Sequence, residues 1–219
     1  MKRFLIILCV AAAAVACNNG KKDNPLTSRE KELIGSWHCL SYTSSADLSS
    51  DYRICLEFTS VRGAFLHVYS QGKYTKWEYT WKIEGNTLAL SGADYCPEIT
   101  LENLDAQHLE WTLKDEKGTS RGSFVNVSKL LPGTWSIKWD EDTYPYTVEI
   151  ESSGVSTWSW TWDTPGSSKY FWEVSANALA HLVVTFWAND WGDTFDILSV
   201  ETNHISAISG NNKPVQFTR

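Results

Sequence analysis

The sequence lacks the short motifs that mark the common enzyme classes. It contains no G-x-S-x-G, no H-E-x-x-H and no phosphate-binding glycine loop, and no cysteine and histidine are placed as a nucleophile and its base. Carboxylates on distant strands can still converge in a glycoside hydrolase. We therefore expect a protein that is not an enzyme, with a carboxylate-dependent hydrolase as an alternative.

Metal-binding patterns are lacking as well. Asp190 and Asp193 belong to a run of acids at every third position, but a calcium loop needs oxygen ligands at closer spacing around a glycine. His38 and Cys39 are strand neighbours that point to opposite faces, so they are poorly placed to share zinc with Cys55. We expect no metal site and no cofactor.

Positive charge and long apolar runs are both scarce. Lys and Arg number 19 against 26 Asp and Glu, and the formal net charge is -7. A chain without a basic stripe repels phosphate backbones, so we expect no nucleic-acid partner. After the N-terminal run, no segment offers the ~20 apolar residues that a membrane-spanning helix needs.

The N-terminus has the layout of an export signal. Two basic residues precede an apolar run over residues 4–15, and small residues then lead to Cys17. The segment "AVAC" resembles a bacterial lipobox, which implies acylation of Cys17 and anchorage in a membrane. We expect residues 1–16 to be a lipoprotein signal peptide and residues 17–27 a polar tether. The alternative is cleavage at a nearby small residue, which would leave an exported protein without lipid.

Three cysteines follow Cys17, and an exported protein can oxidise them. One disulfide between Cys55 and Cys96 is one prediction, because Cys39 shares its strand face with Trp37 and belongs to the core. Three unpaired buried thiols are the alternative, since a free cysteine packs as a small apolar side chain.

An internal repeat divides the rest of the chain. "ELIGSW" at 32–37 recurs as "LLPGTW" at 130–135, and "YTWKIEGNTLAL" at 79–90 recurs as "YFWEVSANALAH" at 170–181. The order of the matching segments never changes. We therefore predict two tandem domains, residues 28–129 and residues 130–219.

Each copy predicts eight short strands joined by tight turns. Apolar and polar residues alternate with a period of two, and pairs such as "GN" and "SG" separate the segments. Eight sequential antiparallel strands close naturally as an up-and-down barrel, which leaves no exposed sheet edge. The predicted fold class is all-β, with two tandem eight-stranded barrels. One short helix is predicted at "TSREKELI", where Thr27 and Glu30 are placed as a capping box.

The segment "STWSWTW" at 156–162 places three tryptophans on one side of a strand. Serine and threonine suit the outer side, so Trp158, Trp160 and Trp162 are predicted to point into the second barrel. Eight strands enclose a space that side chains can fill or that one small ligand can occupy. A packed core and a partly open aromatic binding site both fit this pattern.

Two G-x-W motifs resemble the signature of lipocalins. They are Gly35-Ser36-Trp37 and Gly133-Thr134-Trp135, and the chain ends in "VQFTR". The resemblance extends to small lipocalin-like lipoproteins of Bacteroidota and covers nearly the whole mature chain. It implies barrel floors in which a basic side chain lies over the signature tryptophan, with Trp135 beneath Arg219 and Trp37 beneath Lys129.

The segment "FWANDWGDTFD" at 186–196 is the predicted ligand site. Aromatic, amide and acidic side chains flank a turn there, namely Trp187, Asn189, Asp190, Trp191 and Asp193. The expected function is that of a non-catalytic binding module for a glycan, an apolar small molecule or a protein. It would be lipid-anchored in the cell envelope, at the outer membrane. A purely structural component of an envelope complex and an envelope hydrolase are the alternatives.

Overall fold

A computed structural model describes residues 25–116, 118–189 and 191–219, with only the backbone of Trp191 included. The predicted signal peptide, Cys17 and Asp190 lie outside the described residues. No helix among the described residues has both the length and the apolar character needed to cross a bilayer.

The first barrel follows a short helix whose capping box matches the prediction. The Thr27 side chain accepts from the Glu30 amide, and the Glu30 carboxylate accepts from the Thr27 amide. Helix α1 spans Ser28–Leu33, and the strands are β1 (Gly35–Ser44), β2 (Arg53–Phe58), β3 (Gly63–Ser70), β4 (Lys73–Glu84), β5 (Thr87–Ser91), β6 (Glu98–Leu104), β7 (His108–Asp115) and β8 (Gly118–Asn126). Each strand pairs antiparallel with the next, and β8 closes on β1.

The second barrel repeats this topology after a one-turn helix. Helix α2 spans Val127–Leu130, and the strands are β9 (Gly133–Trp139), β10 (Tyr146–Ile150), β11 (Val155–Trp160), β12 (Gly166–Ala176), β13 (Leu182–Ala188), β14 (Trp191–Glu201), β15 (His204–Ser209) and β16 (Pro214–Thr218). Strand β16 closes on β9. The all-β fold of two tandem eight-stranded barrels is confirmed, and it is consistent with a lipocalin-like double barrel.

The two signature tryptophans seal the barrel floors in the same way. The Trp37 indole donates to the Leu33 carbonyl at 2.8 Å, and the Trp135 indole donates to the Leu131 carbonyl at 2.7 Å. Both rings are fully buried. Gly35 precedes the first ring at φ +138°, and a Cβ there would collide with the side chain of Asn126. Only glycine allows the chain to enter the barrel at this angle.

The basic residues beside these rings differ between the barrels. The Arg219 guanidinium lies over the Trp135 ring at 4.1 Å and donates to the carbonyls of Leu130 and Pro132. The Lys129 ammonium donates instead to the carbonyls of Lys31 and Glu32 at the end of α1. Among the cation–π contacts of the described residues, none joins Lys129 to Trp37. The predicted ring contact of Lys129 is wrong, because its flexible stem reaches the unpaired carbonyls at the helix end.

The barrels pack side by side through their outer walls. Strand β1 packs against β12, β13 and β14, and β2 packs against β12. Cys55 points outward from β2 and is 1% exposed, because it belongs to the buried cluster of the second barrel. His38, also on β1, lies near enough to His181 of the second barrel that the charge of His181 adds to burial in lowering the pKa of His38.

The thiols are unpaired, so the predicted Cys55–Cys96 disulfide is wrong. Cys39, Cys55 and Cys96 are all free. Cys55 is enclosed between the barrels, whereas Cys96 is exposed in the connection between β5 and β6. Strands β3 and β4 separate the two positions in the barrel wall. The alternative of three unpaired thiols is observed, although only Cys55 is fully buried.

Candidate ligand cavity in the first barrel

The interior of the first barrel contains a cavity of about 790 Å³. Aliphatic and aromatic side chains form its walls, among them Ile54, Leu66, Val68, Leu90 and Ile99. Leu66 and Val68 face the interior yet are only half-buried, because the cavity lies in front of them. A cavity of this size falls in the range of ~300–1,000 Å³ that small-molecule sites occupy.

The strand registers allow cavity-lining positions of the first barrel to be matched with positions of the second barrel. Leu56 pairs with Leu66 in the first barrel, and the matching pair in the second is Val148 with Trp158. The same comparison matches four further cavity positions with larger residues. In order from first to second barrel, the five matches are Leu66 with Trp158, Val68 with Trp160, Ile54 with Tyr146, Leu90 with Phe186 and Ile99 with Phe195.

These larger side chains contact one another inside the second barrel. Trp158 lies edge-to-face against Phe186 at 5.1 Å and against Tyr146 at 5.7 Å between ring centroids. Phe186 and Phe195 meet at 5.8 Å. Edge-to-face rings at these distances attract each other beyond their burial alone. Aromatic packing therefore occupies the space that is open in the first barrel.

The mouth of the cavity lies at the end of the barrel opposite Trp37. Tyr42 and Tyr52 stack there with ring centroids 5.2 Å apart. The Tyr95 hydroxyl donates to the Asp115 carboxylate at 2.6 Å, which ties the β5–β6 connection to the end of β7. The burial of Tyr95 and its bond to Asp115 raise the pKa of this phenol, so it stays a donor.

Two wall residues hold polar atoms without a partner. The Tyr79 hydroxyl and the Trp111 indole nitrogen are buried and make no hydrogen bond to any described residue. Each side chain is 4% exposed and lines the cavity. Leaving a buried donor unpaired costs about 1–3 kcal/mol, so such groups need an explanation. The Trp158 indole nitrogen in the filled second barrel is buried without a partner as well, so such atoms are not confined to the barrel with the cavity.

The tryptophans of β11 only partly follow the prediction. Trp158 is 4% exposed in the core of the second barrel. Trp160 and Trp162 are half-buried towards the open end, where Trp162 stacks on the exposed Tyr144 at 6.2 Å. Strand β11 ends at Trp160, so the alternation does not extend to Trp162.

Three of the five residues predicted as a ligand site within 186–196 have described side chains, namely Trp187, Asn189 and Asp193. Trp187 lies on the outer wall of β13 against Phe171, with ring centroids 6.0 Å apart. Asp193 pairs with Phe186 and shares its inward face, and burial raises the pKa of its carboxyl. Asn189 is exposed in the turn at φ 51°. Because strand neighbours alternate faces, Trp187 and Asp193 point to opposite sides of the hairpin.

The sequence pattern did not predict the cavity in the first barrel, because most of the tryptophans lie in the second copy of the repeat. A partial signal was nevertheless present in the repeat. Aligned copies place small aliphatic residues in the first where the second has aromatic rings, as at Leu66 and Trp158. Two other lining positions show the opposite order, since Trp77 matches Ser168 and Trp111 matches Ala207, so side-chain volume alone does not identify the hollow barrel.

The cavity presents apolar walls with two carboxylates, Asp115 and Glu116, among its lining residues. Among the described residues, no three His, Cys, Asp or Glu side chains are grouped as metal ligands. The chain matches no protein-family model, and no curated protein is significantly similar to it.

Proposed function

We propose that this protein is an envelope lipoprotein that binds an apolar small molecule inside its first barrel. The cavity of about 790 Å³ carries the proposal. Its walls are apolar, and its few polar groups include the Tyr95 hydroxyl and the Asp115 carboxylate at the mouth. Apolar walls with a few directed polar groups are the usual composition of a small-molecule site.

The difference between the two copies supports binding over a purely structural role. Both barrels share one topology and a buried floor tryptophan, yet only the second has aromatic rings at the five matched positions. Filling the first barrel in the same way would bury more apolar surface and add stability. A hollow first barrel is therefore better explained by a ligand than by support alone.

A structural or assembly role is the second candidate, and the outer wall of the second barrel favours it. Phe171 is 56% exposed there and lies beside Trp187. Exposed aromatic pairs are enriched where proteins meet. In this case the filled barrel would serve as a docking platform.

Binding can be tested with Nile red, a dye whose emission rises in an apolar environment. We expect saturable enhancement with one dye molecule per chain, measured by titration of the purified full chain with Cys17→Ala so that no detergent is needed. Displacement of the dye by unlabelled apolar compounds should restore the initial emission. Emission that rises linearly without saturation would contradict a defined internal site.

Membrane anchorage through Cys17 belongs to the same proposal. The "AVAC" segment and its apolar lead-in support it, as does the resemblance to small lipocalin-like lipoproteins of Bacteroidota. Cys17→Ala should move the protein from the membrane fraction to the soluble fraction, because the acyl chains contribute about 0.8 kcal/mol per buried methylene. Immunoblots of both fractions provide the measurement. Cys96→Ala is the matched control and should leave the distribution unchanged; equal retention of both variants would argue against acylation at Cys17.

A further inference from the structure

Two acidic side chains lie at the mouth of the first-barrel cavity among the described residues. Asp115 ends β7, and Glu116 follows it in the turn to β8; both line the cavity. Among the described lining residues, these two acids are the only side chains that carry a full charge at neutral pH. No lysine or arginine lines the described wall.

Aromatic faces surround the same mouth. Tyr42 and Tyr52 stack at an interplanar angle of 23°, and both line the cavity. The hydrogen bond from Tyr95 holds the Asp115 carboxylate at the rim. The faces of tyrosine rings attract cations, and nearby carboxylates strengthen that attraction.

Below the rim, the wall turns apolar. Leu66, Val68 and Leu90 face the interior, and none of them offers a hydrogen bond. A molecule that fits both zones needs an apolar body and a polar end that faces outward. The rim determines the charge that this end can carry.

We infer that the first barrel selects amphiphilic cations, such as a long-chain amine or quaternary ammonium compound. The apolar body lies between the strands, and the positive end lies at the mouth near Asp115 and Glu116. An anionic amphiphile such as a fatty acid is repelled by these acids and by the chain's formal net charge of -7. This inference rests on the proposed binding function and names the ligand class of the same cavity.

Three compounds with one tail and different ends test the inference. Dodecyltrimethylammonium, dodecanol and dodecanoate each displace Nile red from the full chain, at concentrations below micelle formation. We expect the cation to bind about ten-fold more tightly than the alcohol, and the anion more weakly than the alcohol. The preference should weaken as salt is raised, because exposed charges are screened.

Neutralising the two rim acids tests whether their charge, rather than the shape of the cavity, produces the preference for the cation. Asp115→Asn combined with Glu116→Gln should remove the preference for the cation while dodecanol binds as before. Asparagine retains an oxygen that can accept from Tyr95. Glu173→Gln combined with Glu201→Gln changes the net charge equally at exposed positions of the second barrel and should keep the preference.

The outcomes distinguish this inference from the proposed function. Equal displacement by all three compounds, or tightest binding of dodecanoate, would overturn the cation preference and leave the binding function intact. A preference that survives in the rim variant would overturn the role of Asp115 and Glu116. Absence of saturable Nile red binding would contradict both the cation preference and the proposed binding function.

Discussion

Leu66→Trp should weaken the binding of Nile red to the first barrel by roughly a hundred-fold or abolish it. Leu66 faces the cavity at the position that Trp158 occupies in the second barrel. The second barrel shows that this backbone accepts an indole there, packed against neighbouring rings. A tryptophan at position 66 would therefore occupy the space that the dye needs.

The control for this substitution adds the same chromophore outside the barrel. Val61 is 85% exposed in the turn between β2 and β3, so Val61→Trp should leave dye binding unchanged. Circular dichroism and thermal unfolding would show that both variants fold. If the Leu66→Trp variant folds and binds dye as tightly as the unsubstituted chain, the cavity is not where the dye binds.

Acidification from about pH 7 to about pH 4 should remove on the order of 2–3 kcal/mol of stability through His38. Burial between the barrels, and secondarily the charge of His181, lower the pKa of His38 from 6.5 to about 4. The unfolded chain then binds the proton more tightly than the folded one. The contribution of neutral His38 to stability is complete above pH 6.5 and is lost as the pH falls towards about 4, the pKa of His38 in the folded chain.

His181 contributes in the same direction. Burial, followed by the charge of Arg53, lowers the pKa of its imidazole, and Asp196 opposes this shift from 3.8 Å. The Asn177 amide donates to the same Asp196 carboxylate at 3.0 Å. Protonation would place two positive charges near each other between the barrels, which lowers the stability of the folded chain.

Urea unfolding followed by tryptophan emission at several pH values between 7.5 and 4.5 would measure the effect. His38→Gln should flatten the profile, because glutamine fills a similar space without titrating. Asp51, whose pKa is lowered to about 2 by hydrogen bonds from Ser49 and the amides of Gly72 and Gln71, accounts for losses only at lower pH. An unsubstituted protein that is equally stable across this range would show that these histidines do not affect folding.

Much of the fold could be predicted because it depends on local patterns. Period-two alternation and turn residues define strands, and a repeated G-x-W motif marks where each barrel begins. The position of Arg219 over Trp135 agrees with what the lipocalin resemblance implied. Lys129 departs from the predicted contact with Trp37 because it donates to the carbonyls at the end of α1. The position of that helix end relative to the floor of the first barrel is not encoded in a local pattern.

The candidate site could not be predicted in the same way. A cavity is what remains after side chains from several strands have packed, so no single segment reveals it. Within the segment 186–196, the hairpin register sends Trp187 and Asp193 to opposite faces, and that register is not readable from the segment alone. Cys55 and Cys96, predicted as a disulfide, are apart because the order of strands in the sheet places β3 and β4 between them.

The sequence by itself determined that this chain forms two all-β barrels, because strand periodicity, turn glycines and the repeat act over a few residues at a time. Tertiary structure alone decided which barrel is hollow, which acids border its mouth and which histidines lie near each other between the barrels. Those features depend on register and closure, which bring together residues as distant in the chain as His38 and His181.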